Sequence, residues 1–346
     1  MTQEWNVSVE QQIDAVTAVR VAYVGSQSYH ESYVQDDNFS GYTYCTFYNN
    51  PNCAIPTQAN LTNGTLKAPY LPYAPNFTDL LEYDSGATAS YHSLQVNVQR
   101  HLSHGIQGSS SFTWEKSIDV ASAANLSNGE EIDNPRNLGW SRGISNANLP
   151  FTWVSYFVYT SPALRGQNLL VREALAGWEM SPIVTWQSGT PFNVGSGNDN
   201  SAYGELNKGS GCIEACGSDR ADRVPGVPLK VRQGGRAHWT QEYFNPAAFI
   251  TRHDGTFGDS GRNLIQGPPS FNIDTSLMKN WSIHENYNVQ LRFEFYNATN
   301  HPVMSNPNAQ PGDSGGGPAS INGGNAGFGG TSNTPRVGQA ALKITF

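Results

Sequence analysis

A chain of 346 residues is long enough for one large all-β unit or for two ordinary domains. Its apolar fraction of 38% is low for a compact soluble protein, and 35 glycines, 16 tyrosines and frequent asparagine favour strands and loops. The net charge of -8 leaves no basic footprint for nucleic acid, and no run of about eighteen apolar residues offers a membrane-spanning helix. Membrane strands escape that exclusion, because each needs only about ten alternating residues.

Nine strands are predicted in chain order. In the first, Trp5, Val7, Val9 and Ile13 oppose Asn6, Ser8, Glu10 and Gln12. A turn at Asp14-Ala15 leads to the second, with Val19, Val21 and Tyr23 on one face and Arg20 on the other. A polar loop then runs from about Gly25 to Thr88. The third strand sets Leu94, Val96, Val98 and Leu102 against Ser93, Gln95, Asn97 and Gln99, and a turn at Ser103-His104-Gly105 follows. The fourth opposes Ile106, Phe112 and Trp114 to Gln107, Ser109, Ser111, Thr113 and Glu115. After a loop from about Ser117 to Asn148, the fifth strand, Phe151 to Thr160, is apolar on both faces, so periodicity cannot orient it.

A medium connection, Ser161 to Ala174, precedes the sixth strand, where Trp178, Met180, Pro182, Val184 and Trp186 oppose Glu179, Ser181, Thr185 and Gln187. Pro182 cannot donate to a ladder and fits a bulge or an edge. The longest loop, Ser188 to Ser270, leads to the seventh strand (Phe271, Ile273 and Leu277 against Asn272, Asp274 and Ser276). The eighth has the clearest alternation: Tyr287, Val289, Leu291, Phe293 and Phe295 against Asn288, Gln290, Arg292 and Glu294. A Gly/Asn/Pro-rich loop, Thr299 to Thr334, precedes the last strand, Arg336 to Phe346, whose final residue is an aromatic carboxylate.

Short turns and long loops alternate, as in barrels with turns at the periplasmic end and loops outside. The less apolar face carries Glu10, Arg20, Glu115, Glu179, Asp274, Arg292 and Glu294, too many charges for a sandwich core without partners. Aromatics near strand ends, among them Trp5, Tyr23, Trp114, Trp186, Trp281 and Phe346, fit interfacial girdles. The expectation is an all-β antiparallel membrane sheet with lipid on one face and water on the other. Phe346 reads as the signal that the barrel assembly machinery recognises. A secreted β-sandwich adhesin or carbohydrate-binding module is the alternative, and an extracellular hydrolase a further one.

The segments YFNPAAF (Tyr243 to Phe249), GTFGDSGRNLIQGPP (Gly255 to Pro269), FNIDTSLMKNW (Phe271 to Trp281) and LRFEFYNATNHP (Leu291 to Pro302) resemble the C-terminal barrel of Oar-like TonB-dependent outer-membrane transporters. YHSLQVNVQRHLSHGIQGSSSFTW (Tyr91 to Trp114) and the opening QEWNVSVEQQI are similar to it as well. The resemblance implies a barrel of about twenty-two strands, of which the nine would be the C-terminal part. It also implies ligand uptake driven by the TonB system through a plug and coupling box. Neither is recognised in this sequence, nor is a secretory leader at MTQEWNVSVEQQ, so residues 1–346 read as one partial barrel domain and Met1 as an internal or misassigned start. Nine strands leave the first and last parallel, so the expected form is a curved open sheet.

No catalytic, cofactor-binding or metal residue is assigned. GDSGGGP (Gly312 to Pro318) resembles the nucleophile segment GDSGGP of trypsin-like proteases, but Ser314 has no His in the matching context, and the surrounding loop is glycine-rich throughout. His101 and His104 could hold a metal across a tight turn, or be merely polar. Glu130, Glu131 and Asp133 could bind calcium but lack its alternating ligand pattern. The aromatic loop from Tyr29 to Tyr48 (Tyr29, Tyr33, Phe39, Tyr42, Tyr44, Phe47, Tyr48) could stack on a carbohydrate or peptide, or pack on itself. Cys45 with Cys53 and Cys212 with Cys216 suit two short-range disulfides in an oxidising compartment.

Overall fold

The computed structural model describes residues 1–36, 81–122, 132, 134, 137–195, 220–230, 243–250, 257–284, 287–307 and 335–345. One sheet dominates. Its long strands are β1 (Thr2–Gln12), β2 (Thr17–Asp36), β3 (Leu81–Ser103), β4 (Ile106–Asp119), β5 (Phe151–Thr160), β6 (Trp178–Gln187), β7 (Ser270–His284), β8 (Tyr287–Tyr296) and β9 (Val337–Thr345). These nine lie side by side in chain order, each antiparallel to the next, and β1 does not pair with β9. Every neighbour in sequence is thus a neighbour in space.

The turns show why register holds. At the β3–β4 turn, Ser103 pairs with Ile106, and His104 (φ 52°) and Gly105 (φ 78°) are both left-handed. That is the mirror-image two-residue turn whose twist matches the strands it joins. A side chain at Gly105 would also collide with the Thr160 carbonyl, 2.3 Å from its Cβ position. At the β1–β2 turn, Asp14 Oδ1 accepts from the Val16 amide at 2.8 Å, and that bond holds the Asp14 carboxyl below its ordinary range.

Two predicted bounds are corrected. The polar loop expected from Gly25 to Thr88 is in large part strand, because β2 continues to Asp36 and β3 begins at Leu81. The pairing passes a register shift at Tyr29–Ser32, where His30 adopts φ 57°. Gly25 remains inside β2 because the Trp5 indole lies over it; a Cβ there would meet Trp5 Nε1 at 2.4 Å. The loop expected from Ser117 to Asn148 holds the last strand residues of β4, the short helix α1 (Leu138–Ser141) and a two-residue strand, Gly143–Ile144, paired with Ile118 and Asp119.

The sheet itself has little core. Buried apolar residues gather instead at its loop end, in two clusters. One joins Tyr33, Ala87, Val120 and Ile132; the other joins Phe192, Val194, Ala221, Phe244, Ala248, Phe249 and Ile265.

Candidate functional site

Register sorts every wall side chain onto one of two faces. Phe112 pairs with Trp153, and Trp153 with Trp186, so Phe151, Trp153, Ser155, Phe157 and Tyr159 share the apolar face. The strand that periodicity could not orient is therefore placed by its neighbours. Pro182 lies between β5 and β7, opposite Thr275, within the ladder rather than at an edge.

On the apolar face, charge is confined to the two ends. Lys116 lies opposite His92 at the loop end, and Arg100 and Lys279 lie at the turn end. Between those rows, no wall position on this face carries Asp, Glu, Lys or Arg. From His92 to Arg100, eight residues of extended chain cover about 27 Å. At a tilt of about 40° that is roughly 20 Å of height, close to the apolar band of an outer-membrane barrel. Val7, Val9, Leu342 and Ile344 on this face stay more than half exposed, and among the described residues no second sheet covers them. A β-sandwich would bury them.

The opposite face carries most of the polar and charged side chains, interrupted by apolar residues such as Val154, Val158 and Ile183. Glu10 pairs with Arg20, and Arg20 with Asn97; with Gln95, Gln99 and Ser111 they line a hollow of about 370 Å³. Asn97 donates to Ser111 Oγ at 2.7 Å and to Ser109 Oγ at 3.2 Å. Further along, Tyr156, Asp274, Arg292, Glu294 and Tyr296 line a second hollow of about 290 Å³. There Arg292 forms an ion pair with Glu294, which also accepts from Gln339. These groups offer charge of both signs and tyrosine rings to a solute in water.

At the loop end, segments remote in sequence are joined in a clasp. Asp119, at the end of β4, and Arg262 form an ion pair, 5% and 7% exposed. Arg262 also donates to the Asp119 carbonyl at 2.9 Å and to Ser122 Oγ at 3.3 Å. Burial pulls the Arg262 guanidinium down to about 10, still far above neutrality, so it remains a cation beside the carboxylate. Asn263, at φ 55°, donates to the Ile144 carbonyl at 2.7 Å and takes the Asn193 side chain on its own amide at 2.6 Å.

Two further arginines bind the rest of the clasp. Arg223 donates to the carbonyls of Ala248 (2.7 Å) and Val227 (3.1 Å), with its guanidinium 5.3 Å from the Phe249 ring centre. Its amide donates to Asp259 Oδ1, whose own amide donates to Asp222. Arg220 donates to the Trp140 carbonyl at 3.0 Å. The segments YFNPAAF and GTFGDSGRNLIQGPP contribute Ala248, Phe249, Asp259, Arg262 and Asn263 to this network. Tyr243 donates its hydroxyl to the Gln266 carbonyl at 3.0 Å, and burial pushes its phenol up to about 12.

The residues singled out from sequence fare differently. His104 is a turn residue that hydrogen-bonds Ser103, and His101 precedes it in β3. Among the described residues no group of three or more His, Cys, Asp or Glu is placed to hold a metal ion. Tyr33 is buried and donates to Asp84, whereas Tyr29 is exposed on β2. Phe39, Tyr42, Tyr44, Phe47, Tyr48, Glu130, Glu131, Asp133, Ser314, Phe346 and all four cysteines lie outside the described residues. Asp119 and Arg220 carried no signal of their own, and Arg262 and Asn263 stood out only inside a quoted segment.

The family model described as "Outer membrane beta barrel domain" matches residues 1–339. Among solved structures, the chain is similar to the outer membrane transporter YddB from Escherichia coli, at 11% identity over 99% of this chain and 32% of that one, with a TM-score of 0.47. It is also similar to the closed form of the ferric-catecholate import receptor Fiu from Escherichia coli, at 12% identity over 99% of this chain and 38% of that one, with a TM-score of 0.30. The chain spans roughly a third of the length of these two proteins. No curated protein matches it.

Proposed function

The chain belongs to the outer membrane beta barrel domain family, and from that premise we propose that residues 1–346 form the C-terminal part of a larger barrel of the Oar-like TonB-dependent transporter kind. The completed barrel passes a ligand across the outer membrane, with the long loops meeting it outside. The observation that carries this reading is the separation of the two faces. One is free of charge between its end rows, whereas the other holds Glu10, Arg20, Asp274, Arg292 and Glu294. Only lipid on one side and water on the other suits both.

The open order of the sheet supports the reading that further strands complete the wall. β1 and β9 run in the same direction, so they cannot close on each other by the antiparallel pairing of every other neighbour. Each open edge would leave backbone N–H and C=O groups unpaired in lipid, at several kcal/mol per group. The resemblance of Tyr243 to Phe249 and Gly255 to Pro269 to Oar-like transporters supports the finer assignment, and the mixed charge and tyrosines of the polar face suit a polar solute. Coupling to the TonB system would run through a plug in the remainder of the barrel.

Conductance tests this. The purified chain is added to planar bilayers, and the expected outcome is an absence of discrete, reproducible single-channel steps. Such steps from a monomer would mean that these strands close by themselves, and the proposal would fall.

A further inference from the structure

The connection between β5 and β6 is the long one at the turn end of the sheet, and it carries helix α2 (Leu169–Leu175). Its start is fixed by Asn168, whose side chain accepts from the Val171 amide at 2.9 Å. Its end is bound to the wall. Trp178 Nε1 donates to the Ala174 carbonyl at 2.7 Å, Ser161 Oγ to the Leu175 carbonyl at 3.0 Å, and Lys279 to the Glu173 carbonyl.

Trp178 and Lys279 face each other across β6 and β7 on the apolar side. Lys279 is 2% exposed, between the rings of Trp178 and Trp281 at 5.6 and 5.0 Å. The helix is therefore held by side chains of the apolar face at the turn end of the sheet. Its own leucines are left uncovered: Leu169 is 63% exposed, Leu170 82% and Leu175 60%. In water that is an unfavourable display, and it lies beside the end of the apolar face that Trp178 and Lys279 mark.

We propose that α2 is an interfacial helix seated in the periplasmic leaflet, with Leu170 and Leu175, which share a face with Val171 and Ala174, among phospholipid acyl chains and Arg165 and Arg172 at the level of anionic headgroups. Tryptophan and lysine at its base suit the same depth, since indoles prefer the interface and basic side chains reach outward to phosphate. The helix then fixes the depth of the wall and covers the ends of β5 and β6. This rests on the reading that the apolar face meets lipid and the turn end is periplasmic.

Photo-crosslinking separates the two. p-Benzoylphenylalanine replaces Leu170, Phe157 (apolar face) or Val154 (polar face) in the full-length barrel, and outer membranes isolated from the producing bacterium are irradiated. Adducts are identified by mass spectrometry, which distinguishes phospholipid from the glycolipid of the outer leaflet. Burial of one leucine in acyl chains favours partition by about tenfold or more, so the phospholipid adduct at position 170 is expected to match that at 157 and exceed that at 154 about tenfold. An adduct at 157 with none at 170, or a protein rather than a phospholipid adduct at 170, overturns the helix proposal and leaves the wall reading intact. No lipid adduct at 157 overturns both.

Discussion

Arg262→Ala tests whether the clasp depends on its buried ion pair. Asp119 and Arg262 are both nearly inaccessible, and the guanidinium serves the Asp119 carboxylate, the Asp119 carbonyl and Ser122 Oγ together. Without it, Asp119 keeps the Ser122 hydroxyl at 2.8 Å and loses its counter-charge. Removing one partner of such a pair costs about 3–5 kcal/mol, because the other remains charged and dry. Local opening should therefore rise between about a hundredfold and a few thousandfold. Amide hydrogen exchange reads this at Ser145, bonded to the Ser117 carbonyl, and at Asn146, bonded to Ser122 Oγ, with amides of β8 as the control. Asp119→Leu combined with Arg262→Met removes both charges and is expected to restore much of the protection. If Arg262→Ala leaves exchange at Ser145 and Asn146 unchanged, or if the double variant opens as far as the single, the pair does not hold the clasp.

Three more outcomes are expected. Phe293→Arg, on the apolar face of β8, should cost about 2–4 kcal/mol of folding stability in membranes, while Gln290→Ala on the polar face should be mild; equal tolerance in a denaturant titration would count against a lipid-facing wall. Burial raises the Tyr243 phenol from 10.0 to about 12, so its neutral form contributes stability that is complete below pH 10 and lost as pH climbs through 12. Ultraviolet titration of the protein against Tyr243→Phe should then show the missing tyrosinate near pH 12, and a difference near pH 10 would mean an exposed ring. Deleting Phe346 from the full-length barrel should sharply reduce its insertion, measured as the heat-modifiable band in outer-membrane fractions; normal insertion would remove its role as an assembly signal.

The strands of the wall were legible where one face is wet and the other greasy, because alternation there is a direct imprint of the two solvents. Leu291, Phe293 and Phe295 against Gln290, Arg292 and Glu294 is that imprint in its plainest form. Phe151–Thr160 defeated the same logic: Val154, Tyr156 and Val158 put bulk on the water side, so only pairing with Phe112 and Trp186 orients it. The outer halves of β2 and β3 went unseen for the opposite reason. Beyond the charge-free band neither face needs to be apolar, and residues such as Ser26 to Ser32 carry no period. The clasp was invisible because its partners are remote in sequence, Asp119 and Arg262 being 143 residues apart. Helix α2 was hidden by its length, since seven residues make too few turns to impose a pattern.

The central claim is that alternate residues of one strand live in different solvents, and β8 is the place to measure it. The four native cysteines are replaced by serine, single cysteines are placed in turn from Asn288 to Tyr296, and outer membranes opened to both sides are treated with a water-soluble maleimide. Labelling should rise at 288, 290, 292, 294 and 296 and fall at 289, 291, 293 and 295. Uniform labelling, or labelling of the Leu291 and Phe293 positions in preference to Gln290 and Arg292, would contradict a wall with lipid on one face and water on the other.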